Sequence, residues 1–376
     1  MTAAHGEQVR AFIPHPLPPA KPPLEVEGEI AGLHAAAQTA MARLGVAAAI
    51  VPSTDWFLYG FVRKEAVLTS QIEGTQATLR DVLTYEVTHQ SDRPDDVEEV
   101  CNYVDALTLA RKQLADPKGL PLSMRLLCSA HRRLMRGARG SDKQPGEIRR
   151  SQNWIGGTRP GNARFVPPPP EDVSAALADL ERWIHSDDPL PPLVKAGLAH
   201  VQFETIHPFL DGNGRIGRLL IALLVEHWGL LAQPLLYLSV ALRRRQQEYF
   251  DHLAAVRTDG DWEGWTKFYL ECVREAADDG VRVALALHAL LGRDRERLAR
   301  HDRATVAAIQ LLDRLPTHPL VTVPRAAEVL KLTAPPARKA IEVLVSLRVL
   351  RETTGKQRDR VYAYHEYLRI LTGDDT

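Results

Sequence analysis

The most informative segment of the chain is His207-Pro208-Phe209-Leu210-Asp211-Gly212-Asn213-Gly214-Arg215-Ile216-Gly217-Arg218, and the apolar residues 219–225 follow it without a break. Gly212, Asn213 and Gly214 tolerate the tight or left-handed backbone that lets several amide N–H groups converge on one anion. The apolar periodicity that begins just afterwards predicts a helix. A loop that runs into a helix N-terminus in this way is a cradle for an anion such as phosphate.

Four side chains of this segment carry a charge or a titratable proton. Arg215 and Arg218 lie three residues apart, so they share one face of the predicted helix and can hold successive phosphates. Cations at a helix N-terminus oppose the helix dipole, which implies that a polyanion binds there. Asp211 offers the hard oxygen that Mg²⁺ takes alongside phosphate oxygens. His207 is the candidate base, because an imidazole can accept a proton near neutrality.

Together these features predict a site that binds a nucleoside triphosphate with Mg²⁺ and removes a proton from an attacking group. The alternative is a Gly-Asn-Gly turn that caps a buried helix and leaves two solvated arginines. That alternative explains the turn residues alone, but it does not explain the histidine, the aspartate and both arginines at this spacing. We therefore expect the triphosphate site.

The segment resembles the HxFx[D/E]GNGRxxR signature of the Fic family (Fic/Doc fold), whose members mostly transfer AMP from ATP to protein hydroxyls, and it matches every specified position. The resemblance implies that His207 deprotonates a target Ser, Thr or Tyr and that Phe209 packs inward. It also implies that Asp211 holds Mg²⁺, that residues 212–215 bind the α- and β-phosphates, and that Arg218 binds the γ-phosphate. The reaction would be in-line attack on the α-phosphorus with pyrophosphate leaving.

The composition is that of a soluble globular protein, with 376 residues, 45% hydrophobic, 25% charged and a formal net charge of zero. This length predicts two or three domains. The zero net charge argues against capture of nucleic acid by the whole chain. Residues 281–376, however, contain 17 Lys and Arg against 11 Asp and Glu, so basic charge is concentrated in the C-terminal part.

Cysteine usage and hydropathy bear on the cellular compartment. Cys101, Cys128 and Cys272 are isolated and odd in number, and their spacing fits no metal site, which predicts a reduced compartment. No apolar run reaches membrane length, and residues 1–20 lack the apolar core of a signal peptide. We expect a cytoplasmic protein that does not associate with a membrane.

The N-terminal part contains a glutamate that needs a cationic partner. Residues 11–24 are rich in proline and are predicted to form an extended strap, and helical spacing runs over residues 25–44 and 56–72. Glu73 follows at a helix C-terminus, where an anion is unfavourable unless a cation pairs with it. From spacing alone, a surface glutamate before a Gly74 cap explains this position better.

The residues Thr69-Ser70-Gln71-Ile72-Glu73-Gly74 resemble the [S/T]xxxE[G/N] inhibitory-helix motif, and the surrounding residues resemble the N-terminal module of Fic proteins. The resemblance implies that Glu73 pairs with Arg218 and denies it to the γ-phosphate, so that ATP binds in a pose unfit for attack. It therefore implies a self-restrained enzyme whose inhibitory helix precedes the catalytic core.

Residues 146–157 predict a short hairpin, because residues typical of strands lie between glycines. The segment resembles the Fic flap, which aligns an extended segment of the target by strand-like pairing. The resemblance assigns Ile155, Gly156 and Gly157 to nucleotide binding. A plain surface hairpin is the alternative.

Helical spacing also predicts helices over residues 102–114, 122–135, 173–184, 193–205 and 236–256. Tyr249, in the last of these, aligns with an adenine-pocket tyrosine of the Fic family. The resemblance implies that Tyr249 contacts the base, although a helical tyrosine is more often simply packed. Arg257 stands near the place where relatives can carry an asparagine.

The C-terminal part predicts a linker helix over residues 281–298, followed by three helices and a hairpin around a basic loop. This order is typical of a winged helix. Arg338 and Lys339 on the third helix, together with the basic excess, allow phosphate contacts with DNA. Winged helices also dock proteins, so DNA binding is left open. The three predicted helices cover residues 304–315, 324–330 and 335–347.

The expected architecture is mainly α, with a Fic-type helical core and β-hairpin flap over residues 116–280, an N-terminal helical module over 1–115, and a linker helix with a winged helix-turn-helix over 281–376. The expected activity is AMP transfer from ATP to protein hydroxyls, its own included, restrained by Glu73. Two alternatives stay open: removal of AMP from modified proteins by the same site, and a DNA-binding regulator that uses the Fic fold as an ATP sensor. A homodimer is also left open.

Overall fold

The computed structural model describes residues 2–4, 7–50, 54–137 and 139–373, and it confirms the expected mainly helical fold. Its N-terminal part pairs two short antiparallel strands and then continues as helices. These elements are β1 (Thr2–Ala4), β2 (Glu7–Val9), α1 (Gly28–Ile50), α2 (Thr54–Ile72), α3 (Leu79–Thr88), α4 (Pro94–Ala115) and α5 (Met124–Leu134).

The middle of the chain contains the signature segment and six helices. The loop after α7 carries the histidine of the signature, and α8 begins at its Gly-Asn-Gly turn. The helices are α6 (Pro170–Ile184), α7 (Pro192–Ile206), α8 (Asn213–His227), α9 (Ser239–Arg244), α10 (Gln246–Thr258) and α11 (Trp262–Ala299).

The C-terminal part combines four helices with a three-stranded antiparallel sheet in the strand order β3-β5-β4. The three predicted helices lie within two residues of their expected bounds, whereas β3 and α15 were not expected. Arg338 and Lys339 are exposed on α14. The elements are α12 (Val306–Arg314), β3 (Leu320–Val321), α13 (Val323–Leu330), α14 (Ala334–Ser346), β4 (Arg351–Glu352), β5 (Tyr362–Ala363) and α15 (His365–Thr372).

Two of the predicted helices differ from the structure. The predicted helix 236–256 is interrupted at Arg245, between α9 and α10. The predicted linker helix 281–298 is wrong in its start, because it is the second half of α11, which begins at Trp262. Asp261 caps this helix by accepting the N–H of Gly264, and none of the 38 residues of the helix is a proline. Helix α1 packs along α11, which explains why buried apolar side chains recur along α11 both before and after residue 280.

Helix α7 is the centre of the core, and it positions the signature loop. Its residues from Leu193 to Ile206 are all buried. A helix that is covered on all sides shows no polar face, and α7 accordingly packs against α6, α8, α10 and α11. The end of α7 is therefore held rigidly on several sides.

Gly197 allows α7 and α11 to approach each other closely. A Cβ atom at this position would lie 2.6 Å from the ring of Tyr269. The indole Nε1 of Trp265 also donates to the Gly197 carbonyl at 3.0 Å. The absence of a side chain thus lets α11 support the helix that carries the signature histidine.

Among the described residues, no helix combines the length and the apolar character needed to cross a membrane. Cys101, Cys128 and Cys272 are free thiols.

We predict that Gly197→Ala destabilises the protein by about 1–3 kcal/mol, because the added methyl group overpacks the buried ring of Tyr269. The matched control is Gly32→Ala in α1, where a Cβ would meet nothing within 4 Å. That control should stabilise the helix by about 0.5–1 kcal/mol. Urea unfolding monitored by circular dichroism measures both changes. Equal effects of the two substitutions would contradict the packing role of Gly197.

Candidate active site

The loop between α7 and α8 is closed by its own side chains and by main-chain hydrogen bonds. His207 ends α7 in the left-handed region, with φ 50°, and Gly212 precedes α8 with φ 75°. The side chain of Asn213 accepts the Phe209 N–H at 2.8 Å and donates to the Phe209 carbonyl at 2.8 Å. An amide side chain carries a donor and an acceptor on two separate atoms of one planar group, which suits the asparagine between the two glycines to this pair of hydrogen bonds.

His131 on α5 holds the same loop from outside. Its ring stacks on Phe209 with a centroid separation of 3.8 Å. Its Nδ1 accepts the Gly146 N–H at 2.8 Å, so its Nε2 carries the proton that is donated to the Asp211 carbonyl at 3.0 Å. Burial lowers the pKa of His131 to about 4, and the ring is therefore neutral at pH 7. The loop, the flap start and α5 are joined through one imidazole.

Arg149 links the flap to the signature histidine. This guanidinium group is 1% exposed, and its Nε donates to the His207 carbonyl at 2.9 Å. Its Nη2 donates to the Pro168 carbonyl at 2.5 Å, and its backbone N–H donates to the Pro208 carbonyl at 2.9 Å. These contacts fix the backbone at the candidate base and at the residue that follows it.

The imidazole of His207 is oriented by the helix that precedes it. Its Nδ1 lies 3.3 Å from the Glu204 carbonyl. A carbonyl can only accept, so Nδ1 donates and Nε2 is left free to accept a proton. Burial is the main cause that lowers the pKa of His207 to about 3, and the guanidinium groups of Arg257 and Arg149 contribute to that lowering. The ring is therefore a neutral base.

The first turn of α8 faces a carboxylate. A Cβ atom on Gly214 would lie 2.2 Å from Oε1 of Glu73 and 3.1 Å from Nη1 of Arg218. The amide N–H groups at a helix N-terminus have no intrahelical partner, and they attract an anion. The Glu73 carboxylate thus lies at the position where the sequence places a phosphate.

Arg218 pairs with Glu73, as the inhibitory-helix motif implied, and it also contacts Thr69. Its Nη2 lies 2.5 Å from Oε1 of Glu73, and its Nε donates to Oγ1 of Thr69 at 2.6 Å. The Arg218 side chain is 1% exposed and the Glu73 side chain is 36% exposed. Both contacts come from α2 or the turn after it, so one helix neutralises the buried guanidinium group.

Arg215 points elsewhere, which corrects the expectation that both arginines act from one face. Its Nη1 lies 3.1 Å from Oε2 of Glu99 on α4, and its side chain is 4% exposed. The alternative with two solvated arginines is also wrong, because Arg215 and Arg218 are both buried and paired. The backbone N–H of Arg215 can reach a phosphate, but its side chain is paired with Glu99 on α4.

Asp211 fits a magnesium ion that is held mainly by a substrate. Its side chain is 44% exposed, and its Oδ1 accepts the Gly212 N–H at 2.6 Å. No group of three or more His, Cys, Asp or Glu side chains among the described residues could hold a metal ion. Mg²⁺ commonly binds one or two carboxylates together with substrate phosphates, so one carboxylate beside the phosphate cradle is a suitable donor set.

The predicted flap pairs less extensively than a full hairpin. Ile155 and Phe165 form an isolated antiparallel bridge, so the second arm comes from residue 165 and not from within 146–157. Gly156 and Gly157 have φ of 70° and 72°. A Cβ on Gly157 would lie 2.4 Å from the Asn162 carbonyl, which explains the glycine at the turn.

Tyr249 is packed in the interior, which corrects the expectation of an open contact with adenine. It is 1% exposed, and its hydroxyl lies 2.9 Å from Nε2 of His200. The ring is not accessible to a base in this conformation. The guanidinium group of Arg257 lies 4.1 Å from the ring centroid of Phe165, so it joins α10 to the flap.

Four residues at the site were missed from the sequence: His131, Arg149, Glu99 and Glu204. Three of them reach the signature loop or α8 from distant segments, and no local spacing marks them. Glu204 could have been found, because it lies three residues before His207 and shares its helix face.

We predict that His131 makes stability depend on pH. Because the unfolded chain binds this proton at about pH 6.5 and the folded chain only at about 4, stability is lost as pH falls through this window. Between pH 7 and 5 the wild type should lose about 2 kcal/mol more than His131→Asn does. Urea unfolding at each pH measures this difference.

The matched control for that measurement is His288→Asn, because His288 is exposed on α11. It should keep the pH dependence of the wild type. A His131→Asn variant that loses stability on acidification as fully as the wild type would show that another group carries the effect.

Two consecutive parts of the chain are similar to known protein families. Residues 32–112 match the Fic/DOC family N-terminal model, and residues 121–225 match the Fic/DOC family model. "Protein adenylyltransferase Fic" of Drosophila erecta is 28% identical over 212 residues, which cover 55% of this chain and 39% of that protein. The Drosophila melanogaster protein of the same name is 27% identical with the same coverage. The chain thus spans about two fifths of the length of these relatives.

Solved structures share the fold. A Fic family protein from Desulfovibrio desulfuricans G20 has a TM-score of 0.57 and 22% identity, with 90% of this chain and 97% of that chain covered. Fic-1 from C. elegans has a TM-score of 0.52 and 21% identity, with 69% and 73% covered. Two family models match consecutive parts of the chain, and the second of them contains the whole signature loop. The chain is a member of the Fic/DOC family.

Proposed function

We propose that the protein transfers AMP from ATP to a Ser, Thr or Tyr hydroxyl of a protein. One observation carries this proposal: a neutral imidazole with a free Nε2 stands on the loop that closes an anion cradle at the N-terminus of α8. The name of the curated relatives, protein adenylyltransferase, supports the same reaction.

In this reaction the triphosphate lies over the first turn of α8. The backbone N–H groups of residues 212–215 hold the α- and β-phosphates, and Arg218 holds the γ-phosphate. Nε2 of His207 takes the proton of the target hydroxyl. The hydroxyl oxygen then forms a bond to the α-phosphorus, the bond from that phosphorus to the bridging oxygen breaks, and pyrophosphate leaves. A base at this position contributes about 10²- to 10⁴-fold in rate.

Asp211 would hold Mg²⁺ together with the phosphate oxygens. The bound ion would neutralise charge on the leaving pyrophosphate. The flap residues Ile155 to Gly157 would border the nucleotide, and the edge of the flap would align the target segment.

We further propose that Glu73 restrains the enzyme. The Glu73 carboxylate and a γ-phosphate are both anions, and they compete for Arg218. Because the carboxylate lies against Gly214 at the N-terminus of α8, it also competes for the anion position there. While Glu73 holds the guanidinium group, ATP lacks its γ-phosphate contact and is not aligned for attack.

Several finer points belong to the same proposal. The three-part division at residues 115 and 280, the magnesium requirement, a cytoplasmic location, self-modification, a homodimer and DNA binding by the C-terminal part remain hypotheses from the sequence. The same site could also catalyse the removal of AMP from a modified protein, with Glu73 positioning the attacking water. Incubation with a modified target distinguishes the two directions.

We predict that the protein incorporates label from ATP labelled on the α-phosphate and not from ATP labelled on the γ-phosphate. His207→Ala should lower incorporation by about 10²- to 10⁴-fold, because the base is removed. The control is His288→Ala, an exposed histidine far along α11. Transfer of the γ-label would replace the proposal with kinase chemistry. Sequence-specific DNA binding without transfer of either label would favour the regulator hypothesis.

We predict that Glu73→Gly raises AMP incorporation about tenfold or more, because each 1.4 kcal/mol of competition for Arg218 is worth about a factor of ten. Glu25→Gly removes an exposed glutamate from the residues just before α1 and is the matched control. Arg218→Ala in the Glu73→Gly background should abolish the gain, since the γ-phosphate then has no guanidinium partner. Equal rates in the wild type and Glu73→Gly would show that Glu73 does not restrain the site.

A further inference from the structure

Glu204 is a buried carboxylate beside the candidate base. It lies on α7 one helical turn before His207 and is 6% exposed. Its Oε1 has no hydrogen-bond partner among the described residues. Its Oε2 lies 4.0 Å from Nδ1 of His207. Burial of a carboxylate without a hydrogen bond is unfavourable, so this residue is costly to the fold unless its charge is used.

The surroundings of Glu204 leave room for this carboxylate. A Cβ atom on Gly217 would lie 2.4 Å from Oε1 of Glu204 and 3.1 Å from Nδ1 of His200, so a side chain at 217 would displace both groups. Nδ1 of His200 is also buried, with no hydrogen-bond partner in the part of the chain that the structure describes. The glycine of α8 therefore admits two polar groups from α7 immediately beside the candidate base.

The candidate base has a difficulty that this carboxylate can resolve. His207 must become an imidazolium when it takes the proton of the target, yet burial disfavours that cation and the nearby guanidinium groups of Arg257 and Arg149 repel it. Without a negative charge nearby, proton transfer to His207 is strongly disfavoured. Glu204 is the anion that lies close to Nδ1.

We propose that Glu204 is the positioning residue that makes His207 a competent base in the proposed AMP transfer. Its backbone carbonyl accepts the Nδ1–H and fixes the tautomer, with Nε2 facing the reaction. Its carboxylate stabilises the imidazolium that forms when the hydroxyl proton moves to Nε2. A separation of 4.0 Å is too long for a hydrogen bond, so the carboxylate acts through its charge. This inference rests on the proposed function.

The charge of Glu204 changes near neutrality. Burial raises the pKa of Glu204 to about 7. The groups that face it are His200 and His207 on its own helix, Arg218 on α8, Tyr249 and Arg257 on α10, and Glu73 after α2. The two arginines lower its pKa and Glu73 raises it. Because the carboxylate form is the one that assists His207, the rate of AMP transfer rises with pH through about 7.

The test compares Glu204→Gln with Glu204→Asp, both in the Glu73→Gly background. The amide is as large as the carboxyl group and carries no charge, so Gln keeps the packing and removes the anion. An opposite charge at this distance shifts a pKa by about 1–3 units, so we expect kcat to fall about 10- to 100-fold in Glu204→Gln. We expect the KM for ATP to change less than about twofold, because Glu204 does not touch the nucleotide in the proposed reaction.

The pH profile distinguishes this role from a structural one. In the Glu73→Gly parent, kcat should rise with pH through a midpoint below about 7, because Glu73 no longer raises the pKa of Glu204. The same rise should remain at a reduced rate in Glu204→Asp and should disappear in Glu204→Gln. A Glu204→Gln variant that keeps both the rise and a rate within about twofold of its parent overturns the proposal. Thermal melting of each variant shows that the fold is kept.

A measurement without turnover separates failure of this proposal from failure of the proposed function. The ring resonances of His207, followed by nuclear magnetic resonance in the wild type, should shift with an inflection near pH 7 as the neighbouring carboxyl group ionises. The inflection should be absent in Glu204→Gln. If no variant transfers AMP but the inflection depends on Glu204, the coupling stands and the reaction is another one. An inflection that persists in Glu204→Gln overturns the coupling itself.

Discussion

The site depends on one electrostatic constraint, the burial of the Arg218 guanidinium group. A charge removed from water must be paired, and truncation of one partner of a buried pair costs about 3–5 kcal/mol. In the described residues this requirement is met by Thr69 and Glu73, which come from α2 and the turn after it. The N-terminal part is therefore tied to α8 by the residue that the proposed reaction needs for the γ-phosphate, so restraint and stability share one contact.

A second constraint is the rigidity of the loop between α7 and α8. Asn213 binds the Phe209 backbone from within, His131 binds the Asp211 carbonyl from outside, and Arg149 binds the carbonyl of His207 itself. In each contact a buried polar side chain forms a hydrogen bond to a main-chain atom. Burial of a polar side chain is unfavourable unless its hydrogen bonds are formed, and once they are formed they rigidify the loop. The N–H donors and the candidate base of the proposed reaction are consequently held in place by the fold itself, as electrostatic preorganisation requires.

Burial also sets the proton balance of the site. It lowers the pKa of His207 and raises that of Glu204, so each shift favours the uncharged form of its group. Two facing groups whose charged forms are disfavoured singly can be charged together, because the imidazolium and the carboxylate attract each other. The proposed reaction creates that ion pair at the moment when the target hydroxyl loses its proton. The incomplete hydrogen bonding of Glu204 beside His207 is then explained by the proposed reaction, in which the two groups form an ion pair.

The sequence alone determined the helical architecture and predicted the candidate base and the candidate anion cradle, because the Gly-Asn-Gly turn and the apolar periodicity of α7 and α8 are properties of neighbouring residues. The resemblance of residues 69–74 to an inhibitory motif also predicted that Glu73 pairs with Arg218. In the structure Nη2 of Arg218 lies 2.5 Å from Oε1 of Glu73. Only the tertiary structure decided that Arg215 is committed to Glu99 and that Tyr249 is closed off by His200. Helical spacing says which side of a helix a residue occupies, but the partner on that side comes from elements that are distant in the chain and meet only through packing.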